Sequence, residues 1–152
     1  MGTFTDVSIA DALVKDIPCF EREVAVQSLR KDAFESPPGY AGGAVGKVGL
    51  DEYLQHGYVC MDGQGGEAVS RTLDYGFADF AAAQAFRYLA AGGGSTDLSP
   101  VDTPTDELRK WAADLSKRYV RAYSSLFDKE RGLMVPKNRE GRYVHNTQYT
   151  IH

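Results

Sequence analysis

The stretch from Glu67 to Ala91, EAVSRTLDYGFADFAAAQAFRYLAA, constrains the fold more than any other part of the chain. At 100° per residue, Glu67, Ser70, Arg71 and Asp74 fall on one side of a helix, and Ala78, Ala81, Ala82, Ala85 and Leu89 continue that side. Val69, Leu73, Gly76, Phe77, Phe80 and Ala83 lie opposite. A helix on a protein surface keeps one polar stripe along its whole length. This one is apolar nearly all round in its second half, which predicts burial between two layers of structure. Its charged groups gather near its N-terminus, where unpaired N–H groups and the helix dipole favour an acidic or polar group. A Gly-rich turn, Asp62 to Gly66, leads into the helix, and Gly92-Gly93-Gly94 stops it.

The segments on either side carry ordinary amphipathic patterns. From Thr5 to Ile17, one face holds Ile9, Ala10, Leu13, Val14 and Ile17, and Pro18 ends the run. A second helix from about Phe20 to Phe34 puts Ala25, Val26, Leu29 and Ala33 on one side and leaves Arg22, Gln27, Arg30 and Lys31 to water. Ser36 to Gly49, rich in Pro and Gly, shows no periodicity and reads as a long loop that serves function or moves. Leu50 to Gln55 predicts a short helix closed by Gly57. Thr103-Pro104-Thr105-Asp106 is a start signal, with Thr as N-cap, Pro in the first helical position and an acid three residues on. The helix after it has Leu108, Trp111, Ala112, Leu115, Tyr119, Ala122 and Leu126 on one face. Arg109, Lys110, Asp114, Lys117, Arg121 and Ser124 form the other. Leu133 to Lys137 reads as extended, and Asn138 to Gly141 as a turn into a second extended piece; no other strand pairing is indicated.

With 152 residues and a quarter of them charged, the chain is of a size for one globular domain. A net charge of −4 without a basic patch argues against nucleic acid as a partner, and no apolar run is long enough to cross a bilayer. Asp6 stands where a myristoylation signal needs Ser or Thr, so a lipid anchor is set aside. Cys19 and Cys60 lack paired spacing and read as two buried thiols, with a disulfide between them as the alternative, and His56, His145 and His152 lack ligand-like spacing, so no metal site is expected within the chain.

Long helices in hairpin pairs, with one helix covered on both sides, predict an all-α fold: part of an (α/α)6 toroid built from helical hairpins with long Gly-rich loops. A four-helix bundle would show water one face of every helix. Asp51-Glu52-Tyr53-Leu54, Gly57-Tyr58-Val59, Gly65 through Tyr75, and Leu126-Phe127-Asp128 through Gly132-Leu133-Met134 occur in that order. Together with Ile9 to Lys15, they resemble glycoside hydrolase family 92, the exo-acting α-mannosidases. The resemblance spans about residues 2 to 143, and its most specific part is Val69 to Tyr75.

The resemblance implies inverting, calcium-dependent hydrolysis of terminal α-mannosides in a mannose-containing glycan, by a toroid that follows a β-sandwich domain. It implies that residues 1–152 are a single fragment of the catalytic domain. The acid, base and calcium ligands would lie outside it, so no catalytic residue is assigned and calcium is expected only in the complete enzyme. The family pattern is departed from in three places: Phe4 stands for its usual His, Cys60 for a Pro, and the Ala78-Asp79 dipeptide for an acidic pair. Complete members are usually exported, but the sequence itself shows no signal peptide.

The candidate substrate-binding residues are Glu67, Ser70, Arg71, Asp74 and Tyr75, where carboxylates and a guanidinium could grip vicinal hydroxyls. The competing interpretation is an i, i+4 Glu–Arg pair with an acid near a helix start. Tyr58 and Tyr75 could stack on a sugar, although buried tyrosines with a bonded hydroxyl are commoner. The alternative function is a non-catalytic all-α module that binds a glycan or a protein.

Overall fold

The computed structural model describes residues 4–18, 20–36, 46–63, 67–94 and 97–145. Cys19, the centres of both Gly-rich loops (residues 37–45 and 64–66) and the tail with His152 lie outside the described residues. Five helices run in order: α1 Phe4–Val14, α2 Arg22–Phe34, α3 Leu50–His56, α4 Ala68–Ala90 and α5 Thr105–Leu126. They match the expected elements to within a few residues at each end. α3 closes as anticipated, with Gly57 in the left-handed region at φ 85° and its N–H bonded to the Tyr53 carbonyl.

α4 is the central element. It packs most extensively on α5, then on α1 and α2. The main core joins Ala10 and Leu13 of α1, Val26 and Leu29 of α2, Ala83 and Phe86 of α4, and Leu108 and Leu115 of α5. Small residues on α4 let its neighbours approach closely, and those neighbours supply the bulk. Trp111 packs against this core with its ring centroid 5.5 Å from that of Phe86. A second cluster, made by Leu50, Tyr53, Val59, Tyr75 and Ala122, fixes α3 against α4 and α5.

The enclosure of α4 is incomplete. Its alanine side is buried at Ala78, Ala82, Ala85 and Leu89, yet Phe77 and Phe80 remain 44% and 39% exposed. Burial on two sides is therefore right, and the third flank is open.

Three further expectations need correction. Arg22 is not in water: it is buried, with Nη2 donating to the Gly93 carbonyl at 3.4 Å beyond the C-terminus of α4. A cation there is favoured by the helix dipole, and a Cβ on Gly94 would lie 2.3 Å from the guanidinium, so the glycine makes the space. Thr103 is not an N-cap. Pro104 holds the cap position of α5, and Thr103 takes part in hydrogen bonds with Glu23 and Gln27 that tie the linker to α2. Strand pairing also exceeds expectation, because Phe127–Asp128 (β1) pairs antiparallel with Leu133–Met134 (β2). Gly132 at φ 66° and the Asp128 carboxylate, accepting from the N–H groups of Glu130 and Arg131, shape that turn. The anticipated turn at Asn138 to Gly141 is present, with Lys137 bridged to Tyr143.

Candidate functional site

Glu67 occupies the N-cap position of α4 with a left-handed backbone, φ 51° and ψ 32°, and its side chain makes no capping bond. Its carboxylate lies 3.8 Å from Arg71 Nε, the i, i+4 pair that the spacing allows. Ser70 is exposed and donates its hydroxyl to the Glu67 carbonyl at 3.1 Å. Arg71 and Asp74 are half-buried on the following turns. Four of the five candidate residues thus share one end of α4 and are open to solvent to differing degrees. Tyr75 differs: its ring is buried edge-on against Tyr53, and its hydroxyl donates to the Val48 carbonyl at 2.9 Å. Burial pushes that phenol up to about 12, with Arg71 opposing the shift. Tyr58 is likewise buried, with its hydroxyl bonded to the Asn138 carbonyl.

A left-handed backbone at a non-glycine residue costs on the order of 1 kcal/mol. Glu67→Gly is therefore expected to stabilise the chain by about 0.5–1 kcal/mol, because the exposed ion pair that it removes contributes little. Chemical denaturation would show the change as a higher midpoint with an unchanged m-value. A lower midpoint would mean that the Glu67 side chain holds the helix start.

The segment leading to α4 is anchored by a residue that hydrophobic patterning passes over. Thr72 is fully buried; its hydroxyl accepts from the Val59 N–H at 2.9 Å and donates to the Ala68 carbonyl at 2.6 Å. Behind the site, Lys47 is 2% exposed with its ammonium 3.2 Å from both Asp6 and Asp32 and 5.8 Å from the centre of the Tyr75 ring. Burial, and then a hydrogen bond with Asp32, push the Asp6 carboxyl up to about 7 against the pull of Lys47. A sequence signal for Asp6 existed: it lies four residues before Ala10 and seven before Leu13, on the buried stripe of α1. Asp79 and Arg118 were missed as well. Arg118 Nε and Nη2 donate to the Asp79 carboxylate at 2.6 and 2.8 Å, Tyr53 donates its hydroxyl at 2.9 Å, and Phe34 lies under the guanidinium. The signal there was a charge interrupting the α5 stripe between Leu115 and Ala122.

Hairpins of helices around a buried, alanine-rich helix, with polar groups collected at one end, are the arrangement expected of one sector of an (α/α)6 toroid. The sequence matches the glycosyl hydrolase family 92 catalytic domain over residues 1–151, and the chain belongs to that family. No curated protein matches it. Among solved structures, a family GH92 α-mannosidase of Bacteroides thetaiotaomicron is similar at TM-score 0.71 and 24% identity, covering 97% of this chain. The same enzyme in complex with mannoimidazole gives TM-score 0.70. A family GH92 inverting mannosidase of B. thetaiotaomicron VPI-5482 is similar at TM-score 0.76 and 22% identity over the whole chain. The chain spans 16–18% of the length of these structures.

Proposed function

We propose that the chain forms one sector of the catalytic domain of an α-mannosidase acting on mannose-containing glycans. In this proposal the N-terminal turns of α4 contribute part of the wall of the sugar site. The observation that supports it most directly is the family match over residues 1–151, which includes the cluster of Glu67, Ser70, Arg71 and Asp74 on one end of the central helix. A guanidinium flanked by carboxylates suits adjacent sugar hydroxyls, since it donates while they both donate and accept. Tyr75 then supports this wall from behind.

Hydrolysis with inversion needs one carboxylic acid to protonate the leaving oxygen and one carboxylate to activate water, about 6.5–9.5 Å apart. We assign both groups to the remainder of the catalytic domain, along with the calcium ligands, and take the remainder and a β-sandwich domain as partners. The residues described here do not suit calcium. No three of His, Cys, Asp and Glu among them gather into a ligand set, and the buried carboxylates of Asp79 and Asp6 already face Arg118 and Lys47.

The isolated chain is expected to give no turnover of an aryl α-mannoside above background with calcium present. It should retain weak binding of mannose-type ligands, lost on Arg71→Ala. Robust turnover abolished by Glu67→Gln or Asp74→Asn would overturn the incompetence of the isolated chain. A second reading, a non-catalytic module for glycans or proteins, draws on the core that α1, α2, α4 and α5 close among themselves. A cooperative melt of the monomer, with glycan binding intact and no gain in binding or activity from the remaining domain, would favour it.

A further inference from the structure

Between α4 and α5 lies an apolar groove of about 600 Å³ that the chain leaves open. Phe77 and Phe80 of α4, Tyr119, Val120 and Tyr123 of α5, and Phe127 of β1 line it. Among the described residues, no charged side chain lines it and none of α1, α2 or α3 reaches it. Val120 is 55% exposed, Phe127 41% and Tyr123 40%, beside the two phenylalanines of α4. Phe80 and Tyr119 meet edge to face at 5.3 Å, so the rings form one continuous surface. A monomeric protein rarely leaves so contiguous an aromatic patch in water.

We infer that this groove is the seam at which the α4–α5 hairpin docks onto the next amphipathic helical hairpin of the ring. The inference rests on the reading of the chain as a sector of a larger catalytic domain. In a ring of hairpins each member has a neighbour on two flanks. The α1–α2 pair covers one flank of α4, and the groove marks the other. Similar folds hold these helices within chains about six times as long, which supplies the occupant. The occupant must present an uncharged stripe of bulky apolar side chains at i, i+3 and i+4 spacing, because any charge buried against these rings would be unpaired. Among the described residues, Ser124 is the one aliphatic hydroxyl in the lining that it meets.

The test is co-expression of the tagged whole chain with the B. thetaiotaomicron VPI-5482 inverting mannosidase lacking the segment that matches this chain. A 1:1 complex is expected with the unchanged chain and not with the double variant Phe80→Lys, Val120→Lys. That variant alone should melt within about 5 °C of the unchanged chain, since it loses one half-exposed aromatic pair of about 0.5–1.5 kcal/mol and no residue of the buried core. Absence of a complex overturns the proposal. A homodimer that the double variant dissolves, with no complex, assigns the groove to a second copy instead. A large fall in melting temperature makes the groove part of the chain's own core and also overturns it. None of these outcomes touches ligand binding at Arg71, so failure here is separable from failure of the sugar-site reading.

Discussion

Asp79→Ala is expected to destabilise the chain by about 3–5 kcal/mol, because it leaves Arg118, whose side chain is only 12% exposed, as an unpaired charge against the core. The Asp79 carboxylate is 1% exposed and holds three charge-assisted hydrogen bonds, two from Arg118 and one from Tyr53. Through it, α3, α4 and α5 meet at one point, and the guanidinium rests on Phe34 of α2 with its carbon 4.9 Å from the ring centroid. Domains of this size are stable by roughly 5–15 kcal/mol in all, so the variant should lose much of its cooperative transition. Thermal or urea unfolding measures this directly. Because the desolvation cost belongs to the pair, Asp79→Leu combined with Arg118→Met should recover most of the loss, giving a coupling of several kcal/mol in a double-mutant cycle. A cost below about 1 kcal/mol for Asp79→Ala alone would show that water reaches the guanidinium and that the network does not hold the helices together.

The second large effect is on pH. Asp6, Asp32 and Lys47 bring two carboxylates around one buried ammonium, so full ionisation leaves an uncompensated negative charge. The Asp6 carboxyl, ordinarily near 3.8, is pushed up to about 7, mainly by burial. A carboxyl raised in this way binds a proton more tightly in the folded chain than in the unfolded one. Its contribution is complete below the ordinary value and is lost as pH rises through about 7. Stability is therefore expected to fall from about pH 4 to pH 7, by up to about 1.4 kcal/mol per unit, and then to level off. Glu23 acts with the opposite sign at lower pH. Burial raises it, but hydrogen bonds from Gln27 and Thr103 outweigh that and hold it below its ordinary value. Its share of stability is lost as pH falls through its folded value, so the maximum should lie near the ordinary carboxylate range, where the two opposing slopes meet. Urea midpoints across this range test the slope, and Asp6→Asn should flatten it. A slope that persists in Asp6→Asn, or that rises with pH, would remove the cluster as its source.

Helix α5 shows how much of the fold can be read from the chain. Its apolar and charged stripes separate along 22 residues, and the buried Leu108, Ala112, Leu115, Ala122 and Leu126 all lie on the face that its periodicity names, with Trp111 and Tyr119 of that face half-buried. The turn at Gly57 and the start of α4 are legible for the same reason: local backbone requirements and local periodicity depend on neighbours in sequence. The candidate site was partly legible. Glu67 and Arg71 meet because they are four residues apart on a helix. Tyr75 meets Val48, a partner 27 residues away that no helical spacing indicates.

The charges that organise the interior were the hardest to read. Arg22 and Arg118 sit in helices whose patterns assign charges to water, and Asp79 in one whose second half is otherwise apolar, yet each is drawn inward to a group remote in sequence. Lys47 follows a Gly-rich loop, and its carboxylates come from two different helices. By itself the sequence determined the helices, their buried faces and the family, because periodicity and ordered motifs are written in short-range spacing. The tertiary structure decided which charges are buried, which flank of α4 stays open and what supports the site from behind, because the free energy of a charge or a ring depends on what packs against it from elsewhere in the chain.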